Sequence, residues 1–324
     1  MKHRIWYILP VILLLTMAAG LCFGSAPLSF TQVVEGLLGR GEQSIQLILW
    51  QIRLPRVLAG VLAGVGLSTA GVLLQTVTAN DLASPNVIGI NSGAGLAVIL
   101  MLTLLPNAGT LLPIGAFLGA FGAAMVILLA GSRLGSARSG ILLIGIAITT
   151  LFNAAISFLS LLDEGILAQY NHFTVGSLKG IRLNELLVPA LIIFGAVMAA
   201  MAMSARLGVL SLGDAAASAL GVRVKGLRIG AMACAAACSA AVVSFAGLLG
   251  FVGLVVPHIA RLLVGRKPAR LIPTAAFVGA AVVVLADLLG RTLFAPSELP
   301  VGILMSLIGA PYFLILLCGR KHHA

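Results

Sequence analysis

Charge is scarce in this sequence. Of its 324 residues, 29 are Asp, Glu, Lys or Arg, and nine of those are acids. A soluble domain has roughly 25% charged residues; this chain has 9%. That excludes a water-soluble globule, which could not hide so much apolar surface. None of the five lysines follows a glycine, so there is no Gly-x-x-x-x-Gly-Lys phosphate loop. HExxH and GxSxG are missing too, which removes two common hydrolase centres. Long hydrophilic stretches are also lacking. The longest gaps between apolar runs are Ser25–Arg53, Asp163–Glu185 and Ala205–Arg228. None could form a soluble domain, so a single domain over 1–324 is expected. Transport is a better fit than catalysis.

The chain is 60% hydrophobic, and its apolar residues come in runs. A hydrocarbon core of roughly 30 Å takes about 20 helical residues to cross. Ile5–Gly24, Pro55–Val77, Val87–Leu105, Leu112–Gly131, Gly140–Leu162, Leu186–Ser204 and Leu271–Leu289 each come close to that length. In lipid the backbone must satisfy its own polar groups, so these spans are expected to be helices. Ile229–Pro257 holds 29 residues without a charge. As one helix it would be about 44 Å long. Glycines at 247, 250 and 253 offer a break, giving one span over 229–247 and a short return over 251–265. With Val301–Leu317 as the last, the expectation is an all-α, polytopic membrane protein of about ten transmembrane helices.

Positive charge orients the spans. With the N-terminus in the cytoplasm, fourteen of the twenty basic residues fall inside, among them Lys2, Arg4, Arg133, Arg138, Arg320 and Lys321. Outside lie Arg40, Arg53, Arg56, Lys179, Arg182 and Arg291. Fusing 229–265 into one span would put the Arg261–Arg270 cluster outside. Ten spans with both termini cytoplasmic therefore fit the rule best. The net charge of +11 then reflects topology and does not call for nucleic acid, since the basic residues form no stripe.

Small residues are frequent. Gly60/Gly64, Gly115/Gly119 and Gly226/Gly230 are spaced for close helix approach, either inside one bundle or at a dimer seam. Cys22, Cys234, Cys238 and Cys318 lie in or beside apolar runs with no partners for a metal site, and are expected to be small buried hydrophobes. The first apolar run exceeds a typical signal-peptide core and is kept as a span.

Three segments could carry chemistry. In 205–228, Gly213-Asp214 can open a short helix that Gly221 can end; it is either a surface connector or a docking helix for a soluble partner. Asp287 is the one acid well inside an apolar run. Arg291, one turn later, can pair with it, either as an ion or proton site or as a local pair. Arg53 and Arg56 flank Leu54-Pro55 and could face an acidic partner or anchor at the headgroups.

Five segments, in order, carry a resemblance: Ile52–Arg56 (IRLPR), Gly71–Gly95 (GVLLQTVTANDLASPNVIGINSGAG), Leu212–Val222 (LGDAAASALGV), Gly250–Gly265 (GFVGLVVPHIARLLVG) and Ala286–Pro311 with ADLLGR, ELPVG and LIGAP. Together they resemble the FecCD family of ABC importer permeases, which move iron–siderophores, haem and vitamin B12. The resemblance covers nearly the whole chain. It implies a second permease chain, identical or paralogous, two cytoplasmic ABC ATPase subunits, an extracytoplasmic substrate-binding protein, and a multi-pass place in the plasma (inner) membrane of a bacterium.

By the same resemblance, Leu212, Gly213, Asp214, Ala217, Leu220 and Gly221 belong to the ATPase-coupling segment. Arg53, Arg56 and Arg291 match binding-protein docking positions, and Asn80 and Leu82 a cytoplasmic gate. No cofactor or metal is expected on this chain; ATP is used by the partners. The implied cargo is iron(III)–siderophore, with haem or cobalamin as alternatives. A rival class is an ion-coupled secondary transporter built on Asp287 and Arg291. Three positions depart from the family pattern: Asp81 where proline is frequent, Leu248 in a Gly-Pro-Ile-Gly region, and Phe173 where tryptophan is common.

Overall fold

The computed structural model describes residues 5–24, 28–86, 89–105, 109–133, 138–295 and 297–319. Lys2, Arg4, Arg320 and Lys321, used above to orient the termini, lie outside them, as does Val87 at the expected start of the third span. The described residues form helices and no strands. In chain order these are α1 (Ile5–Cys22), α2 (Phe30–Leu37), α3 (Gln43–Leu47), α4 (Leu54–Thr78), α5 (Ile90–Leu104), α6 (Leu112–Arg133), α7 (Arg138–Ser160), α8 (Glu164–Val175), α9 (Leu183–Leu210), α10 (Asp214–Ala219), α11 (Val224–Ala246), α12 (Val252–Val264), α13 (Pro268–Thr292) and α14 (Val301–Gly319). Among the described residues, seven helices are long and apolar enough to cross a membrane, and α5, α12 and α14 are shorter apolar helices.

A π-helical stretch, Ile48–Arg53, joins α3 to α4, so residues 43–78 form one continuous helical rod. Pro55 in the first turn of α4 has no N–H to donate. The wider turn accommodates this, with the Leu54 N–H donating to the Leu49 carbonyl. Outside the spans, Ser29 and Gln32 close a reciprocal capping box on α2, and Asp163 caps α8 through the Gly165 N–H.

α4 is the central strut. It is apolar all round, as a buried helix should be, and packs against α13, α11, α12 and α9. Glycine sets its closest approaches. A Cβ on Gly64 would lie 2.2 Å from the Gly279 carbonyl oxygen, and one on Gly71 would lie 2.0 Å from that of Gly253. No real Cβ tolerates such distances, so backbone meets backbone at both points. Of the three glycine pairs noted in the sequence, Gly60/Gly64 face α13, and Gly115/Gly119 face α5. The third pair is only half used: a Cβ on Gly230 would meet Met203, while one on Gly226 would meet nothing within 4 Å among the described residues.

The break expected near 247 is present. α11 ends at Ala246, Gly247 has φ +69°, Phe251 has φ +62°, and α12 begins at Val252. Gly66 of α4 lies against Val242 and Gly71 against Gly253, so the reversal sits beside the middle of α4. Irregular backbone at that depth has to be satisfied by protein. Leu248 N–H donates to the Phe173 carbonyl, Ser177 N–H to Ala246, and Gly302 N–H to Gly176. A Cβ on Gly247 would sit 2.4 Å from the Phe173 oxygen. The glycine that opens the break is therefore also what lets α8 close on it.

The Gly71→Val substitution should lower stability by about 1–3 kcal/mol, the usual cost of overpacking, because the Gly253 carbonyl cannot move aside. Thermal unfolding of the detergent-solubilised chain checks this. A melting temperature equal to wild type would refute the close-contact reading.

Candidate functional site

Two clusters of charge lie at opposite ends of α4. The first joins the start of α4 to the end of α13. Arg53, Arg56, Asp287 and Arg291 are all buried, with relative exposures of 3%, 6%, 3% and 4%. Arg56 donates through Nε to both Asp287 carboxylate oxygens, at 3.0 and 2.9 Å, and through Nη1 to Glu298 at 2.9 Å. Arg53 donates to the carbonyls of Leu21 and Cys22, the latter at 2.8 Å, and Arg291 to that of Gly20. The last carbonyls of a helix have no partners within it. Arg53 and Arg291 therefore cap the C-terminus of α1, where the helix dipole also favours positive charge.

This geometry bears on two expectations. Asp287 pairs with Arg291 one turn on, as their spacing suggests, at 3.8 Å, and more closely with Arg56, 231 residues away, at 2.9 Å. Arg53, Arg56 and Arg291 were expected to be available to an outside protein. All three are instead turned inward and occupied. The local reason is α1, whose terminal carbonyls lie against the cluster. Glu298, which sequence reasoning left unassigned, completes it, with Lys179 at 4.0 Å. Burial acts to raise the Glu298 carboxyl, but Arg56, Lys179 and Arg291 outweigh it and hold the carboxyl below its usual range.

The second cluster surrounds the end of α4. Ala79 turns left-handed at φ +49°, and Asn80 Oδ1 accepts from the Leu82 N–H at 2.9 Å, closing a tight turn. Leu82 is 38% exposed. Asp81 reaches across to Arg261 of α12 at 2.6 Å and to Arg266 at 3.2 Å. The Asn91 amide donates to the Asn86 side chain further along the same loop. At this end, too, α10 follows α9. Gly213 precedes it at φ +105°, and Gly221 follows at φ +77°. The Gly221 N–H donates to Ser218 and the Val222 N–H to Ala217, a Schellman stop that needs a residue free to turn left-handed.

Asp214 is more than an N-terminal charge. It accepts two bonds of 2.8 Å from Arg228 of α11, which is itself 5% exposed. α10 therefore stands on a buried arginine. Ala217 faces inward with no exposure, while Leu212 and Leu220 project outward at 67% and 65%. A short helix that presents leucines while being clamped from below is suited to transmit a push. The short helix that Gly213-Asp214 opens and Gly221 ends is present as α10.

The FecCD transport family matches residues 12–319. The chain belongs to the FecCD transport family. This FecCD permease is 38% identical over 313 residues to the Fe(3+)-citrate import system permease protein YfmE of Bacillus subtilis (strain 168), covering 96% of this chain and 93% of that one. It is 37% identical over 320 residues to the hemin transport system permease protein HmuU of Yersinia pestis, covering 96% and 94%. Its backbone follows an inward-facing metal-chelate type ABC transporter with a TM-score of 0.86 at 30% identity, covering 98% of this chain and 99% of that one. The FecCD permease is a transport subunit.

The Asp287→Asn change should cost about 3–5 kcal/mol, because it leaves Arg56 and Arg291 buried without their shared anion. An Arg56→Met/Asp287→Leu double variant should recover much of that in thermal unfolding. A double variant less stable than the single would remove the pairing argument. Glu298 should also make stability pH-dependent. Its pKa is depressed in the folded chain, so its contribution is full above about 4.3, the unfolded value, and is lost as pH falls through the folded one. Glu298→Gln should flatten that acid limb; an unchanged limb would assign it to other carboxylates.

Proposed function

We propose that this chain is the membrane-spanning subunit of a binding-protein-dependent ABC importer for a ferric chelate, most simply an iron(III)–siderophore. The carrying observation is α10, an exposed short helix clamped to α11 through Asp214 and Arg228. Family membership over residues 12–319 and relatives that carry ferric citrate and hemin support the cargo class. Haem and cobalamin are the alternative cargoes within the same family.

In this reading the chain crosses the membrane ten times, seven times by long helices and three times by α5, α12 and α14. Both termini face the cytoplasm. Two such permeases, identical or paralogous, enclose the pathway between them. Two cytoplasmic ATPases grip Leu212–Gly221 and supply the energy. ATP binding displaces α10; Arg228 passes the motion to α11, and the break at 247–251 lets α12 move with respect to it. The loop carrying Asn80 and Leu82 is the inner gate, with Asp81 holding it to α12. At the outer end, an extracytoplasmic binding protein rests on the platform that Arg53, Arg56 and Arg291 keep rigid. The chain itself binds no nucleotide, and no cofactor or metal is assigned to it.

An ion-coupled transporter is not favoured. Asp287 already has both carboxylate oxygens engaged by Arg56 and a second guanidinium nearby, which leaves a cation no net attraction.

Uptake of labelled ferric siderophore, haem and cobalamin into a strain lacking this gene tests the cargo. Restoration of the ferric chelate alone supports the proposal, and equal uptake of all three without the gene defeats it. Gly221→Val should abolish uptake, because a β-branched residue resists φ +77° and the stop of α10 is lost. The expected signature is loss of ATPase co-purification with the chain still in the membrane. Asp81→Asn should instead raise ATP hydrolysis in the absence of binding protein. Unchanged basal hydrolysis would mean that the Asp81 bridge does not hold the gate.

A further inference from the structure

Beside α10 lies a groove of about 620 Å³ between the end of α9 and the start of α11. Met203, Leu220, Val222 and Leu227 give it an apolar lining, and Arg206 and Arg223 stand on it, both exposed. No carboxylate lines it. These two arginines differ from the others described above. Arg53, Arg56, Arg228, Arg261, Arg266 and Arg291 each donate to a carboxylate or a helix carbonyl. Among the described residues, neither Arg206 nor Arg223 takes part in an ion pair.

Further along, α9 also carries an exposed apolar track. On α9, Leu187, Leu191, Phe194 and Met198 are spaced by three and four residues and are 64%, 65%, 67% and 54% exposed. Arg206, eight residues past Met198, lies about 80° round α9 from that residue, on the same exposed side of the helix. The chain thus offers an apolar stripe along a span, ending in two guanidiniums that no acid neutralises.

We propose that this groove binds an anionic phospholipid, its phosphate between Arg206 and Arg223 and one acyl chain along the α9 stripe. Charge complementarity selects an anion, and only an amphiphile can follow the stripe into the bilayer. A second copy of this chain is a poor occupant, since a two-fold contact would bring arginine to arginine. The inference rests on the topology proposed above, which puts residues 205–228 at the inner leaflet. The lipid would then sit against Leu220, on the segment assigned to ATPase coupling.

The test is native mass spectrometry of the full chain titrated with phosphatidylglycerol or phosphatidylcholine. Wild type should retain phosphatidylglycerol preferentially. Each lost charge should weaken that retention about fivefold, so R206Q/R223Q should weaken it roughly twenty-five-fold. R206K/R223K should keep most of it. Circular dichroism melting of each variant separates lost binding from lost fold. Equal retention of both lipids, or undiminished phosphatidylglycerol on R206Q/R223Q, overturns the proposal. So does displacement of the lipid by equimolar inorganic phosphate, which would reduce the site to a simple anion site. If R206Q/R223Q keeps the lipid but loses ATPase co-purification, the groove belongs to a protein partner and the lipid assignment fails. Lipid retention requires neither transport nor ATPase, so a negative result here leaves the importer reading standing.

Discussion

Backbone-to-backbone contact along α4 is the constraint from which the architecture follows. Gly64 on Gly279 and Gly71 on Gly253 bring α13 and α12 as close to the central helix as chains can come. In lipid there is no hydrophobic gain in separating helices from solvent, so close packing has to supply the cohesion. Once these contacts fix the heights of α12 and α13 along α4, the charges at either end have little freedom. Arg56 meets Asp287 at one end, and Asp81 meets Arg261 at the other.

The two ends differ in how firmly they are tied. At the α1 end, the arginines and Asp287 are nearly inaccessible, and each guanidinium donates to a carboxylate or a helix carbonyl. At the α10 end, the carboxylates keep contact with water, with 21% exposure for the Asp81 side chain and 44% for that of Asp214. Buried pairs are costly to break, whereas partly solvated pairs exchange partners cheaply. The first cluster is thus a fixed joint and the second an adjustable one. Motion that begins at α10 would meet resistance only as it approaches α1.

The helices were legible in the sequence because bilayer-length apolar runs are a strong signal. The break at 247 was legible too, from glycine spacing and from the length of an uncharged run. α8 was not, since its half-polar sequence EGILAQYNHFTV looks like any loop between spans. The pairing of charges was least legible. Arg56 lies 242 residues from Glu298, and Asp81 lies 180 from Arg261; no local period links them. One general signal was available. With nine acids and twenty bases in a mostly apolar chain, an acid near a span will find an arginine somewhere. Spacing alone named the nearest candidate for Asp287, and the fold supplied a better one.

α12 contains 13 residues, about 20 Å of helix. That is too little to hold itself across a bilayer during synthesis, and α11 emerges from the ribosome just ahead of it. In the topology proposed above the pair would enter the membrane as a hairpin, and α12 packs where α4 offers Gly71. Since α13 follows and closes the other side, the order of assembly is written into which glycine each late helix needs, and a ribosome that pauses after α12 would leave that helix waiting on a half-built wall.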